Sequence, residues 1–214
     1  MPGEIAEITQ VLREPGLAVT HAKGCDSALW HLIEAARQGD AASFDEIMVR
    51  YQRRVLNTAW RMLGNTEDAR DAAQDVFLRV FKYLKSYRSA EDFDGWLYRI
   101  IVNVCRDIAR KRPPAPPASY EAEVQNGELA GIAVAGGAEE SAIQSQQRNI
   151  IAEALATLSR KEREALVLRD LEGFSTKEVA RLLGSSQTTV RSQISSARKK
   201  IKLFKDRMMR QRRG

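Results

Sequence analysis

The chain has 214 residues, of which 43% are hydrophobic and 29% are charged, and its formal net charge is +6. This balance predicts a soluble protein of one or two small domains, and the lack of an apolar run of about 18 residues argues against membrane insertion. The N-terminal stretch lacks the basic and apolar regions of a secretory signal peptide. Cys25 and Cys105 lie far apart, which disfavours a disulfide framework or a metal site and makes the cytoplasm the expected compartment.

The charge is spread unevenly along the chain. Residues 113–147 carry five acidic and no basic side chains, whereas residues 148–214 carry seventeen basic and seven acidic ones, a net charge of +10. A basic module at one end predicts contact with nucleic acid there, although a solvated helical surface would give the same count.

Residues 1–26 mix Pro, Gly and small side chains and are expected to form a weakly ordered N-terminal extension. From residue 27 to residue 112 apolar side chains recur at three- and four-residue steps, which predicts helices with no strand pattern between them. Asp40 is a candidate N-cap, and Gly64-Asn65 separates two apolar stripes. One later stripe includes Phe77, Phe81 and Leu84, and the last one includes Phe93, Trp96 and Leu97.

Residues 113–147 read as an inter-domain linker. They begin with PPAPP, which cannot continue a helix, and go on with small, glycine-containing and acidic sequence. A second helical domain is predicted at 148–205, where Ser159 and Glu162 have the spacing of a capping box, and a basic tail at 206–214. The predicted fold is therefore all-α, with two helical domains joined by a flexible linker.

Residues 174–201 have the pattern of a helix-turn-helix. Ala180 provides a small residue where the second helix would cross the first, Gly184 suits a left-handed turn, and Val190 would anchor the second helix. Ser185 or Ser186 would cap that second helix. The alternative is an ordinary helical hairpin with a basic exposed face.

The outer side of this second helix suits DNA. Short polar side chains and one arginine allow close approach to base edges in the major groove, and the basic residues that follow suit phosphates. The predicted DNA contacts here are Thr188, Thr189, Arg191, Ser192, Ser195, Ser196, Arg198, Lys199 and Lys202.

Three stretches resemble extracytoplasmic-function sigma factors of bacterial RNA polymerase. EDARDAAQDVFLRVF resembles part of their regions 2.1–2.2, FDGWLYRIIVNVCRDIARKR resembles regions 2.3–2.4, and LATLSRKEREALVLRDLEGFSTKEVARLLGSSQTTVRSQISSARKKI resembles region 4. The resemblance covers residues 44–112 and 150–202 in the family's order. It implies that core RNA polymerase and promoter DNA are the partners. Domain 2, residues 27–112, would open the minus-ten element, and domain 4, residues 148–205, would read the minus-thirty-five element.

The resemblance also implies roles for residues of the first domain. Asp71, Gln74 and Asp75 would dock on the polymerase clamp, although they are also the polar side of an amphipathic helix, and Phe77 is expected in the core. Phe93 could form a stacking wall with Tyr87, but Phe93 and Trp96 are favoured as core. Tyr98 is expected to face solvent or DNA. The implied contacts to minus-ten DNA are Tyr87, Arg99, Asn103, Arg106 and Arg110.

Some features depart from the family pattern. The N-terminal extension and the linker are long, and Gln193, Ser195 and Ser196 stand where many relatives carry Arg or bulkier residues, which leaves the promoter sequence open. The acidic linker either mimics nucleic acid in the polymerase channel or is a solvated spacer. The family further implies a stress or envelope response and an anti-sigma factor as a partner.

Two other classes of protein explain less of the sequence. A stand-alone helix-turn-helix regulator would explain residues 150–202 but not the resemblance of the first domain. An enzyme would need a nucleophile–base pair or a phosphate-binding glycine loop, and neither is evident; the histidines are His21 and His31. No catalytic residue, cofactor or metal is therefore expected.

Overall fold

The computed structural model describes residues 27–88, 92–111 and 138–211, with the backbone alone for 138–145 and 211. Every regular element in these ranges is helical, which confirms the all-α prediction. The predicted extension, residues 1–26, and most of the predicted linker lie outside them. The chain divides into two compact units, whose described parts are residues 27–111, apart from 89–91, and residues 138–211.

The first unit is built from α1 (Ser27–Arg37), α2 (Ala41–Leu63), α3 (Thr66–Leu84) and α4 (Phe93–Lys111). Local signals set these boundaries. The carboxylate of Asp40 accepts from the backbone N–H groups of Ala42 and Ser43 at the start of α2. Gly64, with a φ of 72°, ends α2, and the Asn65 side chain caps α3 by accepting from the N–H of Asp68 at 3.0 Å.

The core of this unit lies between α2, α3 and α4. Each helix contributes a stripe of buried residues at helical spacing, for example Val55 and Ala59 of α2 and Val76 and Val80 of α3. Helix α4 packs against both α2 and α3 and is buried on more than one side. Its fully buried side chains include Tyr98, Ile101, Val102 and Val104.

The second unit contains α5 (Ala138–Ala156), α6 (Arg160–Leu166), α7 (Thr176–Leu183) and α8 (Gln187–Gln211). Helix α6 runs directly into a π-helical turn, Val167–Leu171, in which the N–H of Glu172 donates to the carbonyl of Val167 at 2.9 Å. The predicted capping box of Ser159 and Glu162 starts α6, and Ser175 with Glu178 forms a second one at α7.

Two helices extend past the predicted segments. Helix α5 begins at Ala138, inside the stretch read as linker, and α8 continues to Gln211, so most of the predicted tail is helical.

Candidate nucleic-acid interface

Helices α7 and α8 form the predicted helix-turn-helix. Gly184 has a φ of 63° and its N–H donates to the carbonyl of Ala180, so the turn uses the left-handed conformation that favours glycine. Ser186, rather than Ser185, caps α8 by accepting from the N–H of Thr189 at 3.0 Å. Val190 is fully buried, and a stripe continues from it along α8 through Ile194, Ala197 and Ile201.

The side of α8 opposite this buried stripe is open to solvent. The residues that were predicted to contact DNA and are exposed there are Thr188, Thr189, Arg191, Ser192, Ser195, Lys199 and Lys202. At about 100° per residue, most of them lie on one face of the helix. The start of this face presents hydroxyl groups and one guanidinium, which suit base edges. Ammonium groups follow further along the helix, where they suit phosphates.

Two predicted DNA contacts of α8 are placed differently. Ser196 is half-buried and its hydroxyl donates to Glu162 at 2.5 Å. Arg198 is also half-buried and binds both carboxylate oxygens of Asp170, at 2.9 and 2.6 Å. Both were predicted to contact DNA from the pattern of α8 alone, which does not show that α6 and the π-helical turn cover the flanks of this helix.

The carboxylate of Glu162 joins the start of α6 to α8. It accepts from the N–H of Ser159 at 2.8 Å, from Ser196, and from the Lys200 ammonium at 2.7 Å. Burial alone would raise the pKa of Glu162, but the hydrogen bonds from Lys200, Ser196 and Ser159 outweigh it and lower that pKa to about 2. The hydrogen bond from Asp170 likewise raises the pKa of Arg198.

In the first unit, α3 presents an exposed face of mixed chemistry. Asp71, Gln74 and Asp75, predicted to bind polymerase, are all exposed. Leu78 and Phe81 lie on the same face and are 60% and 65% exposed. Phe81 belongs to the apolar stripe seen in the sequence, but only one edge of it is covered: its ring packs edge-on against Phe44 at 5.1 Å between centroids. Phe77 is half-buried.

Helix α4 shows a narrower polar face than the sequence predicted. Arg99, Asn103 and Arg110 are exposed, Arg106 is half-buried, and Arg110 pairs with Asp107. Tyr98 was expected at the surface but is fully buried, with its hydroxyl accepting from Nε of Arg54 at 2.9 Å. Its placement follows from the packing of α4 against two other helices.

An aromatic cluster stands where the chain enters α4. Tyr87, with 5% exposure, lies 5.6 Å from Phe93 and 4.9 Å from Trp96 between ring centroids, and Phe93 packs in turn on Tyr51. Tyr87 is thus part of the core together with Phe93 and does not offer a free ring for stacking on a base. The predicted DNA contacts that lie on α4 itself, Arg99, Asn103, Arg106 and Arg110, are exposed or half-buried.

Comparison with known proteins identifies the family. A family model described as Sigma-70 region 2 matches residues 47–113, and one described as Sigma-70, region 4 matches residues 148–201. The chain is 30% identical to the RNA polymerase sigma-H factor of Pseudomonas aeruginosa and 32% identical to the ECF RNA polymerase sigma-E factor of Escherichia coli. Each alignment spans 174 residues, which are 79% of this chain and 90% of the relative. The chain belongs to the extracytoplasmic-function sigma factors. The match of region 2 decides against a stand-alone regulator.

This sigma factor also shares its fold with solved structures. CnrH, in complex with the cytosolic domain of CnrY, is 25% identical with a TM-score of 0.58, and the match covers 82% of this chain and 96% of CnrH. The sigma factor RpoE from Bartonella quintana, in complex with the anti-sigma factor NepR, is 20% identical with a TM-score of 0.55, over 76% of this chain and 96% of that one. The protein is therefore an alternative sigma factor that directs promoter-specific initiation, and sigma factors are not enzymes.

The described ranges show neither a membrane-spanning helix nor a metal site. None of their helices combines the length and the apolar character that crossing a membrane requires. No group of histidine, cysteine and acidic side chains within them is arranged to hold a metal ion.

Proposed function

We propose that this sigma factor binds core RNA polymerase through the exposed face of α3, contacts minus-ten DNA through the polar residues of α4, and reads the minus-thirty-five element with the open face of α8. The observation that carries the proposal is the buried stripe of α8, which leaves the side chains of Arg191, Ser192 and Ser195 exposed. Run-off transcription with core polymerase on a promoter library tests it: a product must require this chain.

The cellular setting follows from the family. A factor that works on polymerase and the chromosome acts in the cytoplasm, and we expect no catalytic activity from the chain itself. CnrH was solved with a bound protein, the cytosolic domain of CnrY. By that likeness we propose that an anti-sigma factor also restrains this chain, in a stress or envelope response.

The docking face of α3 combines charge with apolar surface. Asp71, Gln74 and Asp75 lie on the same exposed side of α3 as Leu78 and Phe81, within the turns that precede them. Acidic groups beside an apolar patch suit a partner surface that carries Arg or Lys around an apolar centre, because the charges orient the encounter and the apolar contact supplies affinity. Leu78 and Phe81 were not singled out for this face from the sequence, where Phe81 counts only as a member of the apolar stripe.

Replacing Asp75 with Arg should weaken binding to core polymerase and leave the fold intact. Within the first unit the Asp75 carboxylate makes a 3.8 Å contact to Arg79 and its side chain is 51% exposed, so folding loses little. At an interface, loss of a desolvated charge partner costs roughly 2–5 kcal/mol. Affinity is measured by titrating labelled core enzyme, with Glu46→Arg, an exposed acid of α2, as the matched control. Equal effects of the two variants would contradict the docking assignment.

Replacing Arg191 with Ala should relax the preference for one upstream base pair, whereas Lys199→Ala should weaken all promoters alike. A guanidinium holds guanine O6 and N7 together, which is worth roughly 1–3 kcal/mol of discrimination, while an ammonium on a phosphate carries no sequence information. Both side chains are exposed on α8, about two turns apart. Competitive binding of holoenzyme to sequence variants of the upstream element, at two salt concentrations, separates the loss of base preference from a uniform loss of affinity. A uniform loss for Arg191→Ala together with a changed base preference for Lys199→Ala would mean that α8 is oriented differently.

A further inference from the structure

The residues that flank the buried stripe of α8 are held by α6 and the π-helical turn. Ser196 and Lys200 lie on one flank and bind Glu162, at 2.5 and 2.7 Å. Arg198 lies on the other flank and binds Asp170 through two nitrogens. We name these five residues the α8 clamp. Their polar contacts join positions at least 28 residues apart in the chain, so they are tertiary and not part of either helix's own hydrogen bonding.

The dimensions of the clamp match the helix that it holds. Glu162 and Asp170 are eight residues apart, which corresponds to roughly 12 Å along a helix axis, close to the diameter of an α-helix with its side chains. The contacts therefore place one carboxylate on each side of α8, and Ala197, fully buried, lies between the two flanks. The small side chain of Ala197 lets the two segments approach closely.

The π-helical turn contributes to this arrangement. In an uninterrupted α-helix, residues eight apart point about 80° away from each other. The N–H of Glu172 donates to the carbonyl of Val167, five residues earlier, and this bond closes a wider turn than that of an α-helix. Because such a turn holds more residues, successive side chains are separated by a smaller angle about the helix axis. Asp170, inside this turn, is thereby brought closer to the side of the segment that carries Glu162.

The polar contacts fix the rotation of α8 about its own axis, which the apolar contacts do not. Burial of Val190, Ile194 and Ile201 attaches α8 to the unit, but hydrophobic attraction has no direction and tolerates small rotations about the helix axis. A two-point guanidinium–carboxylate pair does have a direction, and Asp170 keeps only 8% of its side chain exposed. Rotation of α8 in either sense would break one side of the clamp.

We propose that Glu162 and Asp170 are positioning residues for promoter recognition, which fix the rotation of α8 so that its open face meets the base edges, and that Arg198 acts through Asp170 and not on DNA. This inference rests on the proposed reading of the minus-thirty-five element by α8. It reverses the role that the sequence pattern predicts for Arg198, and it assigns Ser196 to the same clamp.

A charge exchange tests the proposal in reconstituted holoenzyme. We expect Asp170→Arg and Arg198→Asp each to lower the ratio of affinities for a preferred and a mismatched upstream element by about tenfold, and the double variant to restore it to within about threefold. A phosphate contact by Arg198 gives a different pattern: Asp170→Arg alone would bind normally or more tightly, and the double variant would be no better than Arg198→Asp. That result would overturn the proposal.

Milder variants keep the test decisive where a reversed charge unfolds the unit. Asp170→Asn and Arg198→Gln, singly and together, give a double-mutant cycle on the same affinity ratio. Strong coupling supports the clamp, and additivity overturns it. Arg191→Ala is the reference for the proposed function itself: if it leaves the ratio unchanged while the clamp variants are coupled, α8 does not read the element in the manner proposed. Circular dichroism of each variant establishes that its helices are intact.

Discussion

Replacing Arg54 with Ala is expected to lower the free energy of unfolding of the first unit by about 2–3 kcal/mol. Its guanidinium donates to the Tyr98 hydroxyl at 2.9 Å and to Asp94 at 3.0 Å, and Asp94 also accepts from the Tyr51 hydroxyl at 3.0 Å. Removing the cation takes this ion pair away from the partly buried Asp94 carboxylate. A fully buried pair broken in this way costs roughly 3–5 kcal/mol, and the lower figure reflects the 28% exposure of the Asp94 side chain.

The contacts around Arg54 link α2 to the first two turns of α4. Burial, reinforced by the charge of Asp94, raises the pKa of Tyr51, so its hydroxyl stays protonated and donates throughout the working range of pH. Arg54 also lies 5.0 Å from the centroid of the Tyr98 ring. Loss of Arg54 should therefore loosen the entry of α4, the helix proposed to contact minus-ten DNA.

Native-state hydrogen exchange of the full chain measures this effect, because amides of α4 report on the first unit separately. Arg53→Ala is the matched control, since Arg53 is the exposed neighbour in the same turn and its loss should change stability by less than about 0.5 kcal/mol. Similar exchange free energies in the two variants would show that the network around Arg54 contributes nothing to stability.

Replacing Glu162 with Gln is expected to destabilise the second unit by about 1–3 kcal/mol at neutral pH and to flatten its dependence on pH. The folded pKa of Glu162, about 2, lies below its ordinary value of 4.5, so the carboxylate stabilises the folded state fully above pH 4.5. That contribution is lost as pH falls through 4.5 towards 2. The amide in the variant has no charge to lose and should show no such decline.

The comparison is made by hydrogen exchange of α6 and α8 amides at pH 7 and pH 3.5. Glu153→Gln provides the control, because Glu153 is exposed on α5 of the same unit. We expect the difference between Glu162→Gln and the unaltered chain to shrink at the lower pH. A difference that stays constant would mean that the charge of Glu162 is not what stabilises its contacts.

The local features were predictable from the sequence because they depend on local chemistry. Gly184, Val190 and the Ser159–Glu162 capping box follow from backbone geometry and helical periodicity, and the structure confirms all three. The order of the helices and the all-α fold were predicted for the same reason. The family resemblance then identified the type of protein.

The misplaced residues all depend on contacts between helices. Tyr98 lies next to the apolar stripe of α4 and is buried because α4 is packed on more than one side, which a one-face helix pattern does not include. Arg198 has the composition of a phosphate contact, but its partner Asp170 is brought near by the π-helical turn. Phe81 lies in the apolar stripe of α3 but stays at the surface beside Phe44.

The open face of α8 has a consequence for how promoter preference changes over time. Thr188, Arg191, Ser192 and Ser195 are exposed and are not needed for the hydrogen bonds that hold the described part of the second unit together. Exposed substitutions of this kind usually change stability by less than about 0.5 kcal/mol. On the proposed reading of the minus-thirty-five element by α8, mutation can therefore retarget the factor to new regulatory sequences at little cost in stability, and duplicated copies can diverge in specificity while their scaffold stays the same.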